Sequence, residues 1–445
     1  MSFIQIFSLI LLVITFAVAI WRHVNVGLAT IPAGFLLLLV AGVPAGQYFK
    51  QFPGELVILI LGVAYLFGHA QRSGAIAGMT ALAVRATGHR DWLLPWIMFL
   101  LAAVVSGIGA LPAASLAIVV PIAMRTARER GINLMSMGLV TIMGALAGGF
   151  SPISVWGRLV VTLAAKSGRP ISSLGLFAIE FVLNLALAVV AFLIFGGVRL
   201  IRRRPQLDLA TGAGGTGGGA VTPDPMASGR GAVQVQSPVE TAVASRVTAY
   251  QVCSLVGVAV FVAVVLIFSV DPGLVAFAVA LVLQLLFRPD ERELVRSLPW
   301  AVVLVITGVL LYVGLLEKIG TFATIAKHLG GIGSIEVAVL ALAFVGSLFA
   351  SFESSSVAVL GLVIPVAIGV TPGIAGTPLL LILCAVSWAI VVLSPSPYHL
   401  SGALVLASSP EDRQQSMLRK LLLWSVGVAV VVPALAWLIP TLAGL

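Results

Sequence analysis

Four short stretches of this sequence mix glycine, proline and serine in a way that can do chemistry without a catalytic side chain. Two are Gly107-Ile-Gly109-Ala110-Leu-Pro112-Ala-Ala-Ser115 and Ser351-Phe-Glu353-Ser-Ser355-Ser356. The others are Gly148-Gly149-Phe-Ser151-Pro152-Ile-Ser154 and Ser394-Pro395-Ser396-Pro397-Tyr398-His399. Proline has no amide hydrogen and glycine holds a helix poorly, so such runs unwind backbone and free its polar groups. A helix restarting after the break aims free N–H groups and its positive dipole end at the gap, which suits an anion. Freed carbonyls and hydroxyls suit a cation. The hydroxyls expected at the site are those of Ser115, Ser151, Ser154, Ser355, Ser356, Ser394 and Ser396, over backbone shaped by Gly109, Ala110, Pro112, Gly149, Pro152, Pro395 and Pro397.

Few ionisable residues accompany these stretches, and each is a functional candidate because a charge at bilayer depth is costly unless paired or solvated. Arg158 follows the Ser151-Pro152 break by two turns, and its fork of donors suits a carboxylate. Its partner is open at this level: a bound carboxylate, Glu180 of the next apolar run, or Glu353. Glu353 also fits a carrier of a coupling proton, since burial favours its neutral form. His399 either titrates or caps freed carbonyls. Glu180 and Asn184, one turn apart, read as groups that satisfy neighbouring helices.

These residues need apolar elements to carry them, and the composition supplies little else. Of 445 residues 60% are apolar and 9% charged, with a mean hydropathy of +1.16. No soluble core absorbs that much apolar surface. Spans are expected at 4–20, 24–45, 54–70, 133–165 and 172–198, then at 250–269, 272–287, 300–316, 376–407 and 418–440. The apolar pairs 92–125 and 334–367 read as re-entrant hairpins tipped by the first two stretches, and 133–165 and 376–407 as spans broken by the other two. The first run lacks a basic leader and a small-residue cleavage site, and is expected to be a retained span.

The two halves repeat. Gln71-Arg72-Ser73-Gly74 and Glu317-Lys318-Ile319-Gly320 stand as far apart as Gly27-Leu28 and Gly273-Leu274. Pro121 and Pro365, within similar apolar runs, nearly share that separation, as do Phe150-Ser151-Pro152 and Leu393-Ser394-Pro395. A repeat of half the chain is the pattern of secondary transporters. The expected fold is therefore an all-α polytopic membrane protein of two inverted repeats of five transmembrane helices, each with a re-entrant hairpin and a broken helix. The repeats are 1–204 and 247–445. Between them 205–246, rich in Gly and Pro, reads as a flexible cytoplasmic linker without the Lys-Ser/Thr of a phosphate-binding loop.

The net charge of +9 reads as a topology signal rather than a nucleic-acid surface, because the basic residues sit in short loops. With both termini outside and the hairpins re-entering, Lys50, Lys166, Arg169, Lys318 and Lys327 lie outside, Arg158 lies in a span, and the remaining basic residues lie inside. An odd number of crossings per half makes the repeats inverted. Cys253 and Cys384 fall within spans and make no metal spacing.

The Gly148-Gly-Phe-Ser-Pro-Ile-Ser154 stretch after a hairpin, Gly402-Ala-Leu-Val-Leu-Ala407, and Tyr65-Leu-Phe-Gly-His-Ala-Gln71 resemble the MatC-type malonate/dicarboxylate carriers. Those belong to the ion transporter superfamily that also holds the divalent anion/sodium symporters. The resemblance covers nearly the whole chain outside the linker. It implies a homodimer in a bacterial-type inner membrane, with a moving domain that carries a small carboxylate by an elevator motion, often with sodium as co-transported ion. Leu111-Pro112-Ala113 and Ser355-Ser356-Val357 stand where sodium-coupled relatives have Ser-Asn-Thr. Lipid and a small carboxylate are the expected partners, and no cofactor is expected. The runner-up is a cation/proton antiporter using Glu353, followed by a non-accumulating channel. An enzyme is not expected, since His-Glu-x-x-His, Gly-x-Ser-x-Gly and paired intramembrane aspartates are all missing.

Overall fold

A chain this apolar can satisfy its backbone only within itself, and every described element is a helix. The computed structural model describes residues 1–22, 24–88, 90–202, 248–268, 270–329, 335–352 and 356–442. The expected linker 205–246 and the candidates Glu353 and Ser355 lie outside these residues.

The first half contributes α1 (Phe3–Arg22), α2 (Val26–Ala41), α3 (Gly54–Arg72), α4 (Leu94–Gly107), α5 (Pro112–Glu129), α6 (Leu134–Gly148), α7 (Val155–Lys166) and α8 (Ser173–Ile194). The second contributes α9 (Ala249–Phe268), α10 (Pro272–Phe287), α11 (Trp300–Lys318), α12 (Ile335–Phe352), α13 (Ser356–Gly369), α14 (Gly376–Val391), α15 (Leu400–Ala407) and α16 (Glu411–Leu442). Short connecting helices recur too, Ala45–Phe49 and Ala75–Ala86 against Glu291–Ser297 and Thr321–Leu329. Among the described residues six helices are long and apolar enough to cross a membrane: α1, α3, α8, α9, α11 and Glu411–Leu438 of α16. The expected spans 133–165 and 376–407 are each two helices, α6 with α7 and α14 with α15, and the hairpins are α4 with α5 and α12 with α13.

Two helix crossings build one group. α2 packs on α11, and α10 on α3. Glycine sets both distances, since a Cβ on Gly27 would stand 2.0 Å from the Leu304 carbonyl oxygen, and one on Gly308 would stand 2.2 Å from that of Gly27. The second crossing copies the first: a Cβ on Gly273 would meet the Leu59 nitrogen at 2.7 Å, and one on Gly62 the Gly273 carbonyl oxygen at 2.4 Å. Such close approach of backbones is what small residues permit in membrane helix pairs. Capping also repeats, with Asn25 Oδ1 accepting from the Gly27 N–H and Asp271 Oδ1 from the Leu274 N–H.

α1 packs on α2 and α9 on α10, beside that group, and α4–α8 with α12–α16 form the second, in which α6 lies against α4, α5 and α8, and α14 against α12, α13 and α16. α8 also contacts α14, α5 contacts α15, and α7 contacts α13, so the two halves interlock. Arg169, in the loop after α7, closes this arrangement: its guanidinium donates to the carbonyls of Ile368, Thr371 and Ile374 beyond the C-terminal end of α13. Partial burial pushes its pKa down from the ordinary arginine value. Charge-assisted bonds of this kind contribute about 1.5–3 kcal/mol. Arg169→Ala is expected to destabilise the protein by about 2 kcal/mol, and Arg169→Lys to recover only part of that, because an ammonium cannot fork across three carbonyls. Thermal unfolding in detergent reads both; equal melting of all three proteins would show that the contact is idle.

Candidate functional site

The two breaks share one hydrogen-bond pattern. Gly157 N–H donates to the Gly149 carbonyl (3.3 Å) and Gly402 N–H to the Ser394 carbonyl (3.2 Å). Ser154 N–H donates to Ser151 (3.1 Å), and His399 N–H to Ser396 (2.9 Å). Glycine is required at both turns, because a Cβ on Gly157 would lie 2.3 Å from the Ser151 carbonyl oxygen and one on Gly402 2.2 Å from that of Ser396. This pairs Ser151 with Ser396, Pro152 with Pro397 and Ser154 with His399. Matching the Ser-Pro dipeptides in sequence pairs Ser151 with Ser394 instead; Ser-Pro occurs twice in the second break, and the glycine contact selects the later copy.

The first hairpin tip lies on the first break. Gly109, at φ 121°, adopts backbone that L residues avoid, and its missing Cβ leaves room for Val63 and the Ile153 carbonyl. Pro112 occupies the first turn of α5, where its lack of an N–H costs nothing, and packs against Gly149. Ser151 Oγ donates to the Gly107 carbonyl and so ties break to tip. Ser154 Oγ donates to the Gly149 and Ser151 carbonyls, and Ser115 Oγ to the Ala102 carbonyl (3.1 Å).

A cavity of about 480 Å³ opens where these pieces meet. One wall is made of helix starts: Leu111, Pro112 and Ala113 at α5, Trp156 at α7, Ser356 and Val357 at α13, and His399, Leu400 and Ser401 at α15. The facing wall comes from the C-terminal end of α1 and the starts of α2 and α11, with Ile20, Asn25, Val26, Ala301, Val302 and Val305. Six helix starts thus line one space, and neither α5 nor α7 has a side chain capping its first amides. No charged side chain lines the cavity among the described residues. Among those residues the polarity comes from backbone dipoles, whose N-terminal ends are positive.

His399 caps the start of α15: its Nδ1 accepts the Ser401 N–H (3.4 Å), which favours the proton on Nε2, and Nε2 is buried with no hydrogen-bond partner among the described residues. Of the expected residues Pro112, Ser356, Ser394 and His399 line the cavity. Ser115, Ser151, Ser154 and Ser396 stand behind its wall, where their hydroxyls bond backbone. Gly109, Ala110, Gly149, Pro152, Pro395 and Pro397 likewise shape the wall without lining it. Arg158 requires a correction: its Nη2 lies 3.9 Å from Asp271 Oδ2, both side chains about a third exposed, while the Glu180 carboxylate has no hydrogen-bond partner among the described residues. The guanidinium leans across to the cap of α10 instead of along its own group.

Three contributors escape a motif search. Trp156 sits two residues beyond Ser154, and its indole reads as a span residue. Asn25 and Asp271 occupy equivalent caps before Gly27 and Gly273, and the shared separation of those glycines carries the signal.

Residues 1–149 match the family model described as the dicarboxylate carrier protein MatC N-terminus. Over that third of the chain the MatC-type resemblance stands. A solved structure with a similar fold is that of the YdaH transporter of Alcanivorax borkumensis, 14% identical, with a TM-score of 0.51 over 90% of this chain and 88% of that one. At that identity the likeness is one of fold. No curated protein sequence matches the chain. The MatC-type match over the first third and the apolar helices agree on a multi-pass membrane protein.

The glycine contacts at the breaks give a direct test. Gly157→Ala and Gly402→Ala are each expected to destabilise by about 1–3 kcal/mol, the cost of forcing a methyl into filled space, as read by thermal unfolding. A melting point unchanged in both variants would mean that the turns open without strain and that the pairing of Ser151 with Ser396 is wrong.

Proposed function

We propose that this chain is a secondary active carrier of malonate or a similar small dicarboxylate, coupled to protons or sodium. The observation that supports it is the cavity lined by six helix starts and by His399, without an acidic side chain among the described lining residues. Small-molecule sites typically occupy roughly 300–1,000 Å³, so a three-carbon diacid with its water fits. The substrate class comes from the MatC-type match to the first third.

In this proposal the halves are inverted repeats, the hairpins re-enter from opposite sides, and the second helix group slides as an elevator against the first. Asp271 corresponds to Asn25, and, by the register of the breaks, Arg158 corresponds to Ala403. On the cavity side Asn25 and Ala403 cannot pair; on the opposite side Arg158 and Asp271 do. The ion pair therefore closes one side of the path while the other stands open. Following the positive-inside reading, the open side is cytoplasmic.

Uptake of labelled malonate into proteoliposomes under separate sodium and proton gradients tests the function; no uptake of any mono- or dicarboxylate under either gradient would sink it. His399→Ala removes a donor and is expected to raise the malonate concentration for half-maximal uptake about tenfold, whereas His399→Gln keeps an N–H and loses less. The ion pair, at 3.9 Å and part exposed, contributes about 0.5–1 kcal/mol. Arg158→Gln or Asp271→Asn is accordingly expected to shift the balance between the two openings up to about fivefold, read by labelling of single cysteines placed on either side. The swap Arg158→Asp with Asp271→Arg restores the balance if the pair is the latch; a swap that behaves like the single variants excludes it.

A further inference from the structure

α8 buries one stripe, Leu176, Glu180, Asn184 and Ala188, each a turn from the last. Glu180 is fully buried, and neither of its carboxylate oxygens has a hydrogen-bond partner. Asn184, also fully buried, donates Nδ2–H to the Glu180 carbonyl (2.9 Å) and leaves its own Oδ1 without a donor. Cys384 of α14 is the electrostatic neighbour of the carboxyl, and Ser387, a turn further along α14, is buried with an unpartnered Oγ. None of these residues lines the cavity between the helix starts.

Three acceptor oxygens lie buried on one stripe, and no donor among the described residues bonds any of them. An ionised carboxylate in that position is unpaired and expensive, whereas a neutral one can donate its O–H to the Asn184 Oδ1 at the i+4 position. The charged groups on the neighbouring helices offer no alternative. α6 has no ionisable side chain, and α14 offers only Cys384. On α7, Arg158 is paired with Asp271 and Lys166 is exposed; on the Gly197–Arg202 helix Arg199 is exposed. Nor does the packing require an acid here. The buried stripe of α16, which holds the equivalent place in the second half, reads Met417, Leu421, Ser425, Val428 and Val432, and its one hydroxyl donates to the Leu421 carbonyl.

We propose that Glu180, positioned by Asn184, is a proton-binding site separate from the substrate cavity, and that its proton is the one coupled to substrate movement. The proposal deepens the carrier reading above and rests on it for the coupling. The proton binds to Glu180 Oε in the state described here and leaves to water when the second helix group has moved, so one positive charge accompanies the carboxylate.

Glu180→Gln mimics the neutral acid, so it is expected to fold with an unchanged melting point. In proteoliposomes holding a pH-sensitive dye, wild-type protein is expected to acidify the lumen as malonate enters. Glu180→Gln is expected to lose both that acidification and malonate accumulation driven by a pH gradient, while still exchanging labelled for unlabelled malonate. Accumulation by Glu180→Gln at the wild-type level overturns the proposal, and so does loss of exchange together with accumulation. Infrared difference spectra provide a readout independent of substrate. A carbonyl band of a protonated carboxyl that is absent in Glu180→Gln and bleaches reversibly as pH rises upholds the proton site, and Asn184→Ala is expected to move that bleaching to lower pH by removing the acceptor. A band missing from wild type, or fixed at every pH, overturns the site. Should wild type carry no carboxylate at all, the carrier reading fails, and the infrared result still decides the proton site.

Discussion

The structure depends on satisfying backbone polar groups where water is scarce. Each helix end placed at membrane depth leaves amides or carbonyls over, and this chain brings six helix starts to one cavity instead of hiding them. The breaks are held open by carbonyls seated against Gly157 and Gly402, while the Ser154 hydroxyl closes a carbonyl on the same turn and that of Ser151 closes the Gly107 carbonyl at the hairpin tip. What is left without a side-chain cap is the start of α5 and of α7, both on the cavity wall, whose described lining carries no charged side chain.

That division of labour explains why the serines do not all serve as ligands. Ser115, Ser151 and Ser154 look like ligands when read as hydroxyls in irregular stretches, but in a membrane interior their first obligation is to the backbone they accompany. Ser356 and Ser394 lie on the cavity edge, and His399 takes the place of Ser154 in the second copy. The two halves share a skeleton and differ at the positions that matter chemically: His399 against Ser154, Asp271 against Asn25, Arg158 against Ala403.

Much of the fold was readable from apolar length, proline, glycine and the repeat, because those features act locally. The helix pairs at 92–125 and 334–367 and the breaks near Pro152 and Pro397 follow from residues that interrupt helices wherever they occur. The partner of Arg158 was not readable, since Asp271 lies in the other half and meets it only through the packing of α7 near α10. The register of the second break was hidden by its doubled Ser-Pro, and only the contact at Gly402 resolves it. Trp156 joined the cavity unannounced because an indole in an apolar run carries no signal of which way it faces.

Arg169 bonds the loop after α7 to the far end of α13, and this fastening joins the two halves of the chain within the second helix group. A pocket whose floor is bolted in this way keeps its shape under displacement. In the proposed elevator the passenger would be hauled across like freight in a rigid crate, sensing a new exit without ever being regripped.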